Sequence, residues 1–157
     1  GGHSLIFRGY HSLCMLLPDG RVLLAGGDVG WPNEFLDQPA SGQLYMPDYG
    51  AGTRPEIVSG PDEIGIGSQT NQVVVNDSGC TKACLIGLAS VSHSFETNAR
   101  YIQLTLSGGG TTKTFAGPVS TTQAPPGYYM LFVQKVVGAR LQPCQMAKYV
   151  RVVATGP

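Results

Sequence analysis

Charged residues are scarce in this sequence: Asp, Glu, Lys and Arg make up only 13% of its 157 residues, and the ten acidic residues balance the ten basic ones. A chain that binds nucleic acid or another polyanion would cluster its basic residues, and here they are scattered. No apolar run reaches the roughly 20 residues that a membrane-spanning helix needs. The sequence therefore predicts no nucleic-acid partner and no membrane span.

Amphipathic helices of useful length are also missing, whereas turn-forming residues are plentiful. The chain has 22 glycines and 11 prolines, together with many Val, Thr, Tyr and Ser residues. This composition is typical of short strands joined by turns, so an all-β fold is expected. The chain opens on "GGHSLIFRGYHS", which is not a signal peptide. We therefore expect it to be part of a longer protein.

The first third of the chain has the pattern of one propeller blade. Strands are predicted over 12–17 and 21–25 and in the segment 42–49, where the strand stops at Pro47. The turn "PDG" joins the first two strands, and a glycine pair, Gly26-Gly27, ends the second. Three such strands correspond to most of a four-stranded blade of the kelch type. One blade cannot bury its own faces and needs neighbours. Residues 1–52 are therefore predicted to be one incomplete, C-terminal blade of a kelch-type β-propeller.

The remainder of the chain, beyond a seam near 50–56, has the spacing of a sandwich. About seven short strands separated by turns over roughly 100 residues are typical of an immunoglobulin-like fold. Residues 53–157 are therefore predicted to form an immunoglobulin-like (E-set) β-sandwich. Its clearest strands are expected over 71–77, 83–95, 100–108, 127–137 and 146–155.

The cysteines and one sequon favour an oxidising, extracellular compartment. Cys14, Cys80, Cys84 and Cys144 are candidates for disulfides, and four cysteines allow three pairings among which the sequence cannot choose. Asn76 begins the N-glycosylation sequon Asn-Asp-Ser. A secreted glycoprotein of the cell wall, matrix or cell surface is therefore expected.

Two neighbouring residues, Tyr10 and His11, are good metal ligands. Neighbours on a regular strand point to opposite faces, so both can meet one metal ion only where the backbone bends. Gly9, which has no Cβ, permits a bend there. A lone histidine in a β-domain is more often a surface or hydrogen-bonded residue, and that alternative applies to His11 and to His93 equally.

Several segments resemble one family in order and with compatible spacing. "RGYHSLCMLLPDGRVLLAGG" (8–27) resembles the last propeller blade of the galactose oxidase and glyoxal oxidase family of copper radical oxidases. "SVSHSFETNARYIQLTL" (90–106) resembles the histidine loop of that family's terminal domain, and "PPGYYMLFV" (125–133) its late motif. The resemblance covers nearly the whole chain.

The resemblance implies a single copper ion in the complete protein, held by side chains from two parts of this chain. Tyr10 would be the axial ligand and would take the substrate's hydroxyl proton, His11 would be an equatorial ligand, and His93 would be the ligand carried by the hairpin. Arg8 would orient a ligand or the substrate, or else pair with a carboxylate. The family's cross-linked Cys-Tyr radical cofactor lies upstream of the segments matched, and none of the four cysteines stands at its position.

Two functions follow as expectations. The first is the C-terminal part of a secreted copper radical oxidase, glyoxal or galactose oxidase-like, that oxidises a primary alcohol or aldehyde and reduces O₂ to H₂O₂; the fragment alone would be inactive. Its partners would be the rest of its own propeller or neighbouring chains of an assembly. The alternative is a non-catalytic extracellular matrix or cell-surface protein that keeps the fold.

Overall fold

A computed structural model describes residues 8–28 and 41–154 of the chain. The predicted blade, 1–52, therefore includes stretches that lie outside the described residues. The described strands are β1 (Tyr10–Leu16), β2 (Val22–Asp28), β3 (Gly42–Tyr45), β4 (Ile57–Ser59), β5 (Glu63–Gly65), β6 (Asn71–Val75), β7 (Cys80–Gly87), β8 (Val91–Ser92), β9 (Phe95–Glu96), β10 (Tyr101–Thr105), β11 (Thr112–Phe115), β12 (Gly127–Val137), β13 (Arg140–Pro143) and β14 (Lys148–Val153).

The described residues contain strands and turns but no helix, so the all-β prediction is confirmed. Correspondingly, nothing in these two described ranges is a helix long and apolar enough to cross a membrane. The described residues divide into two compact units. The first comprises 8–17, 21–28, 41–47 and 89–99, and the second comprises 18–20, 48–88 and 100–154. The predicted boundary between residues 52 and 53 stays a prediction.

The first unit is built on an antiparallel meander in which β1 pairs with β2 and β2 with β3. Leu17 N donates to Arg21 O at 2.8 Å and closes the connection between β1 and β2 around the predicted "PDG" turn. The short β8–β9 hairpin belongs to this unit and contacts β1. The unit thus contains the start of β1 and the hairpin that carries His93.

The second unit is a sandwich of two sheets. One sheet has the order β10-β7-β12-β14-β5, with β13 paired to the end of β12, and the other has the order β11-β6-β4. The longest strand, β12, lies between β7 and β14 and is buried along most of its length. Apolar side chains from both sheets are fully enclosed and form the core: Ile64, Val73, Val75, Leu85, Leu131, Val133, Val150 and Val152.

One predicted strand is wrong in its extent. The sequence predicts a single strand over 83–95, whereas β7 ends at Gly87 and a separate hairpin follows from Val91. Gly87 N donates to Arg100 O at 3.0 Å, and this hydrogen bond joins the two ends of the segment 88–99 at the end of β7. Residues 89–99 can therefore leave the sandwich sheet and form their own local pairing.

The expected disulfide framework is not present: all four cysteines are free thiols. Cys80 and Cys84 lie four residues apart on β7. At about 3.3 Å per residue their Cα atoms are roughly 13 Å apart, too far for a disulfide bond. Burial in the second unit raises the pKa of the thiols of Cys80 and Cys144 to about 11 and that of Cys84 to about 12. These three cysteines act as small apolar core residues.

We expect Cys80, Cys84 and Cys144 to resist alkylation by iodoacetamide at pH 8 in the folded chain. The thiolate is the reactive species, and a pKa near 11 leaves only about a thousandth of a thiol ionised at this pH. Cys14 is exposed and provides an internal positive control. Peptide mapping by mass spectrometry would locate the labels, and unfolding in guanidinium should expose all four cysteines. Labelling of Cys84 in the native chain would contradict the burial described here.

Candidate metal site

Tyr10 and His11 begin β1, and the backbone bends at His11. The φ angle of His11 is +60°, in the left-handed region that residues other than glycine rarely adopt. The ring centroids of Tyr10 and His11 lie 3.9 Å apart, so two consecutive side chains share one side of the chain. Ser12 N donates to Gly9 O at 3.2 Å across the bend. The bend that the sequence required is present, with its positive φ at His11 rather than at Gly9.

The glycine pair of β2 makes room for this bend. Gly26 has φ +64°, and a Cβ added there would lie 2.8 Å from His11 O. Gly27 has φ +106°, and its Cβ would lie 3.0 Å from the Cα of Arg8. The sequence predicted that the pair ends the second strand, but both residues lie within β2. Only glycine satisfies both the backbone angle and the close approach at these positions.

His93 is presented at the tip of the β8–β9 hairpin. Val91 pairs with Glu96 and Ser92 with Phe95, which leaves His93 and Ser94 as a two-residue loop. Their φ angles are +55° and +64°. Type I′ hairpin turns need positive φ at both central residues and usually use Asn or Gly. A histidine and a serine there are strained, by about 1–3 kcal/mol each.

Local hydrogen bonds hold the base of the hairpin together. The carboxylate of Glu96 accepts from Ser90 N at 2.9 and 3.2 Å and from Asn98 N at 2.7 Å. Thr97 donates to Ser90 O from its backbone N at 2.9 Å and from its hydroxyl at 2.8 Å. These bonds offset the strain at the tip and keep the two-residue loop closed.

Within the first unit, three rings converge. The ring centroid of His93 lies 4.9 Å from that of His11 and 5.3 Å from that of Tyr10. All three side chains are exposed, Tyr10 by 58%. The structure thus brings together the three residues that the sequence analysis selected, two of which are separated by more than 80 positions in the chain.

The donor set is two imidazoles and one phenol. In the described part of the chain, no three His, Cys, Asp or Glu side chains are grouped so that they could hold a metal. The third side chain of the ring cluster is the phenol of Tyr10, which would supply an oxygen. Nitrogen and oxygen donors of this kind suit Cu(II), which prefers tetragonal coordination. The chemistry of the three side chains fits copper, and their role as ligands is taken up as a proposal below.

Arg8 makes its side-chain hydrogen bonds to the β1–β3 meander and its flank, not to the three rings. One guanidinium nitrogen, Nη1, donates to Gly26 O at 2.8 Å, and Nη2 donates to Ser41 Oγ at 3.1 Å. These contacts join the chain before β1 to β2 and to the residue before β3. In the described residues the partners of Arg8 are thus a carbonyl and a hydroxyl, and neither is a carboxylate.

Sequence analysis missed three polar residues of the hairpin. Ser92 Oγ lies 2.7 Å from His93 Nδ1, and Ser94 Oγ lies 2.9 Å from Ser12 Oγ on β1. Glu96 closes the base, as described above. The only signal in the sequence is that serines flank the histidine, and serine is too common in turns to reveal such contacts.

The comparisons with known proteins identify the family of the chain. Residues 54–151 match the family described as "Galactose oxidase-like, Early set domain". This match covers more than half of the chain. The chain belongs to the galactose oxidase-like family. Both the resemblance and the E-set sandwich that the sequence analysis predicted are therefore confirmed.

Individual relatives extend the match into the first unit. A galactose oxidase of Gibberella zeae is 36% identical over 141 residues, which are 85% of this chain and 20% of that protein. The aldehyde oxidase GLOX of Vitis pseudoreticulata is 32% identical over 142 residues, 80% of this chain and 27% of that protein. A WSC domain-containing protein of Arthroderma benhamiae is 29% identical over 134 residues, 83% of this chain and 14% of that protein.

A solved structure matches nearly the whole of this galactose oxidase-like chain. It is described as a novel fungal alcohol oxidase with catalytic diversity among the AA5 family, in complex with copper. The TM-score is 0.81 at 27% identity, over 98% of this chain and 32% of that one. The chain spans between a seventh and a third of the length of these relatives. Activity, substrates and partners of a whole protein are therefore matters for proposal.

Proposed function

We propose that this chain is the C-terminal part of a secreted copper radical oxidase that oxidises a primary alcohol or an aldehyde. With an alcohol, R-CH₂OH and O₂ would give R-CHO and H₂O₂. The single observation that carries the proposal is the convergence of the Tyr10, His11 and His93 rings within 3.9–5.3 Å. Three relatives support it by their descriptions as a galactose oxidase, an aldehyde oxidase and a copper-bound alcohol oxidase.

In this proposal the side chains of Tyr10, His11 and His93 hold one copper ion. When bound, copper together with a radical cofactor supplied from elsewhere in the protein would take up the two electrons of the oxidation. Held by copper as a phenolate, Tyr10 would accept the substrate's hydroxyl proton at its oxygen and become a phenol, and the exposure of this residue leaves room for a small molecule. The hydroxyl contact between Ser94 and Ser12 and the hydrogen bonds at the base of the hairpin hold the backbone beneath His93, so little reordering of the hairpin is needed on binding.

We assign the rest of a kelch-type propeller as the partner of the first unit. Leu44, Tyr45 and Met46 are about half exposed on and just after β3, which lies at the edge of the described meander. An exposed apolar edge strand is a site for pairing with further strands. Neighbouring blades of the same protein, or other chains of an assembly, would cover it.

Secretion and glycosylation belong to the same proposal. Asn76 is exposed, and its Oδ1 accepts from Glu56 N at 2.8 Å. Its Nδ2, the atom that would carry a glycan, makes no hydrogen bond within the described residues. The sequon at Asn76 is thus sterically available to a glycosyltransferase, and its use stays a prediction.

A second candidate function is set beside one relative whose name states a domain and no activity. The WSC domain-containing protein is not described as an oxidase, although it matches 83% of this chain. A non-catalytic extracellular matrix or cell-surface protein would keep the sandwich and the blade for binding. Such a protein would show no turnover whether or not the three rings bind a metal.

The experiment that separates the two functions measures metal and product in the full-length gene product. After loading with Cu(II) and dialysis, an oxidase should retain about one copper per chain. It should then release H₂O₂, detected with a coupled peroxidase, from D-galactose, a simple primary alcohol or glyoxal. Retained copper without H₂O₂ from any of these classes would favour the structural protein, and absence of copper would refute the metal site.

A further inference from the structure

The imidazole of His93 has one of its two nitrogens occupied by a neighbouring side chain. Nδ1 lies 2.7 Å from Ser92 Oγ. In a metal-bound neutral imidazole, the nitrogen that does not bind the metal carries the proton and donates it. With Nδ1 donating to the hydroxyl of Ser92, Nε2 is left with its lone pair for an ion.

The backbone of the hairpin tip is already fixed by other contacts. The hydroxyls of Ser94 and Ser12 lie 2.9 Å apart, which fastens the tip to β1 beside Tyr10 and His11. Glu96 closes the base through the amides of Ser90 and Asn98. The freedom that remains at His93 is rotation of its ring and the choice of tautomer, and the hydroxyl of Ser92 restrains both.

We propose that Ser92 is a positioning residue for the copper site: its hydroxyl accepts from Nδ1 of His93 and thereby presents Nε2 to the ion. The inference rests on the proposed function, since it assigns a ligand atom within that site. Outer hydrogen-bond partners of metal-binding histidines typically change metal affinity by about 10–100-fold when removed. Ser92 acts through His93 and touches neither the substrate nor the ion.

The test compares Ser92→Ala, Ser92→Thr and Ser92→Val in the full-length gene product. Thr keeps a hydroxyl and Val is its near-isostere without one, and both β-branched residues suit the strand β8. Cu(II) affinity is measured by competition with a chelator, and pulsed EPR reports the remote nitrogen of each bound imidazole. Ser90→Ala is the matched control, because in the described residues the Ser90 hydroxyl makes no hydrogen bond although it lies on the same hairpin.

We expect Ser92→Ala and Ser92→Val to weaken copper binding at least tenfold and to alter the remote-nitrogen signal of one imidazole only. Ser92→Thr should restore both properties, and Ser90→Ala should change neither. Equal losses for Thr and Val would indicate packing rather than a hydrogen bond and would overturn the inference. Unchanged affinity and spectrum in Ser92→Ala would overturn it as well, provided that His93→Asn does lose copper. If His93→Asn also keeps copper, it is the proposed function that fails.

Discussion

Replacement of His93 by Asn in the full-length gene product should abolish both copper loading and H₂O₂ production. Asn tolerates the left-handed φ that His93 adopts, so the two-residue turn should survive the change. What is lost is the imidazole, one of only two nitrogen donors in the ring cluster. Because outer-sphere partners alone change metal affinity by about 10–100-fold, loss of a ligand should weaken binding by more than about a hundredfold. Metal analysis after dialysis and a coupled peroxidase assay measure the two outcomes.

Stability must be followed in the same variant, because a misfolded hairpin would also lose metal. The urea midpoint of His93→Asn without copper should match that of the parent protein, or rise slightly as strain at the turn is relieved. His11→Asn is the companion variant, since His11 also has positive φ and contributes the other imidazole. Full copper content in either folded variant would exclude that histidine as a ligand.

The sandwich could be predicted from the sequence where its pattern is local. The strand predicted over 127–137 is β12 with the same bounds, because its apolar run is long and is flanked by glycines. The alternation of apolar and other side chains over 100–108 predicts the strand that is observed as β10. In β10, Ile102 and Leu104 are buried while Tyr101 and Gln103 are exposed. In such strands the period-2 pattern directly reports which face is buried.

Other elements carry no such pattern. The short strand β13 (Arg140–Pro143) was missed, because it is largely polar, ends in proline and depends on pairing with the end of β12. The strand predicted over 83–95 was too long, because nothing in the apolar run shows that Gly87 is where the chain leaves the sheet. Pairing with other strands determines that β13 forms and where β7 ends, and the strand propensity of a segment does not reveal which strands pair.

The site shows the same division. The spacing of the residues could not predict that His93 lies close to His11. Their proximity depends on the hairpin within residues 89–99, which belongs to the same unit as the start of the chain. Family resemblance supplied the three residues. Neither source revealed that His11, His93 and Ser94 are the residues other than glycine with positive φ in the described chain. Strain of this kind is a property of the folded backbone, and it clusters where function constrains the structure.

Gly26→Ala should damage the same site without touching a donor atom. The residue has φ +64°, which costs alanine about 1–2 kcal/mol. Its Cβ would also lie 2.8 Å from His11 O, a backbone atom that cannot move without shifting the ring behind it. We expect a total loss of about 2–4 kcal/mol in the free energy of unfolding of the first unit, together with reduced copper occupancy.

Gly42→Ala is the matched control for that variant, since it lies in the same meander on β3. Its φ is not in the left-handed region, and its nearest contact would be the flexible Cδ1 of Leu23 at 3.3 Å. The expected change in unfolding free energy is within about 1 kcal/mol, with full copper retained. Urea unfolding and metal analysis of both variants then separate backbone strain at the bend from a general effect of adding a methyl group to the sheet. Equal behaviour of the two variants would show that the close approach of β2 to His11 is not what shapes the site.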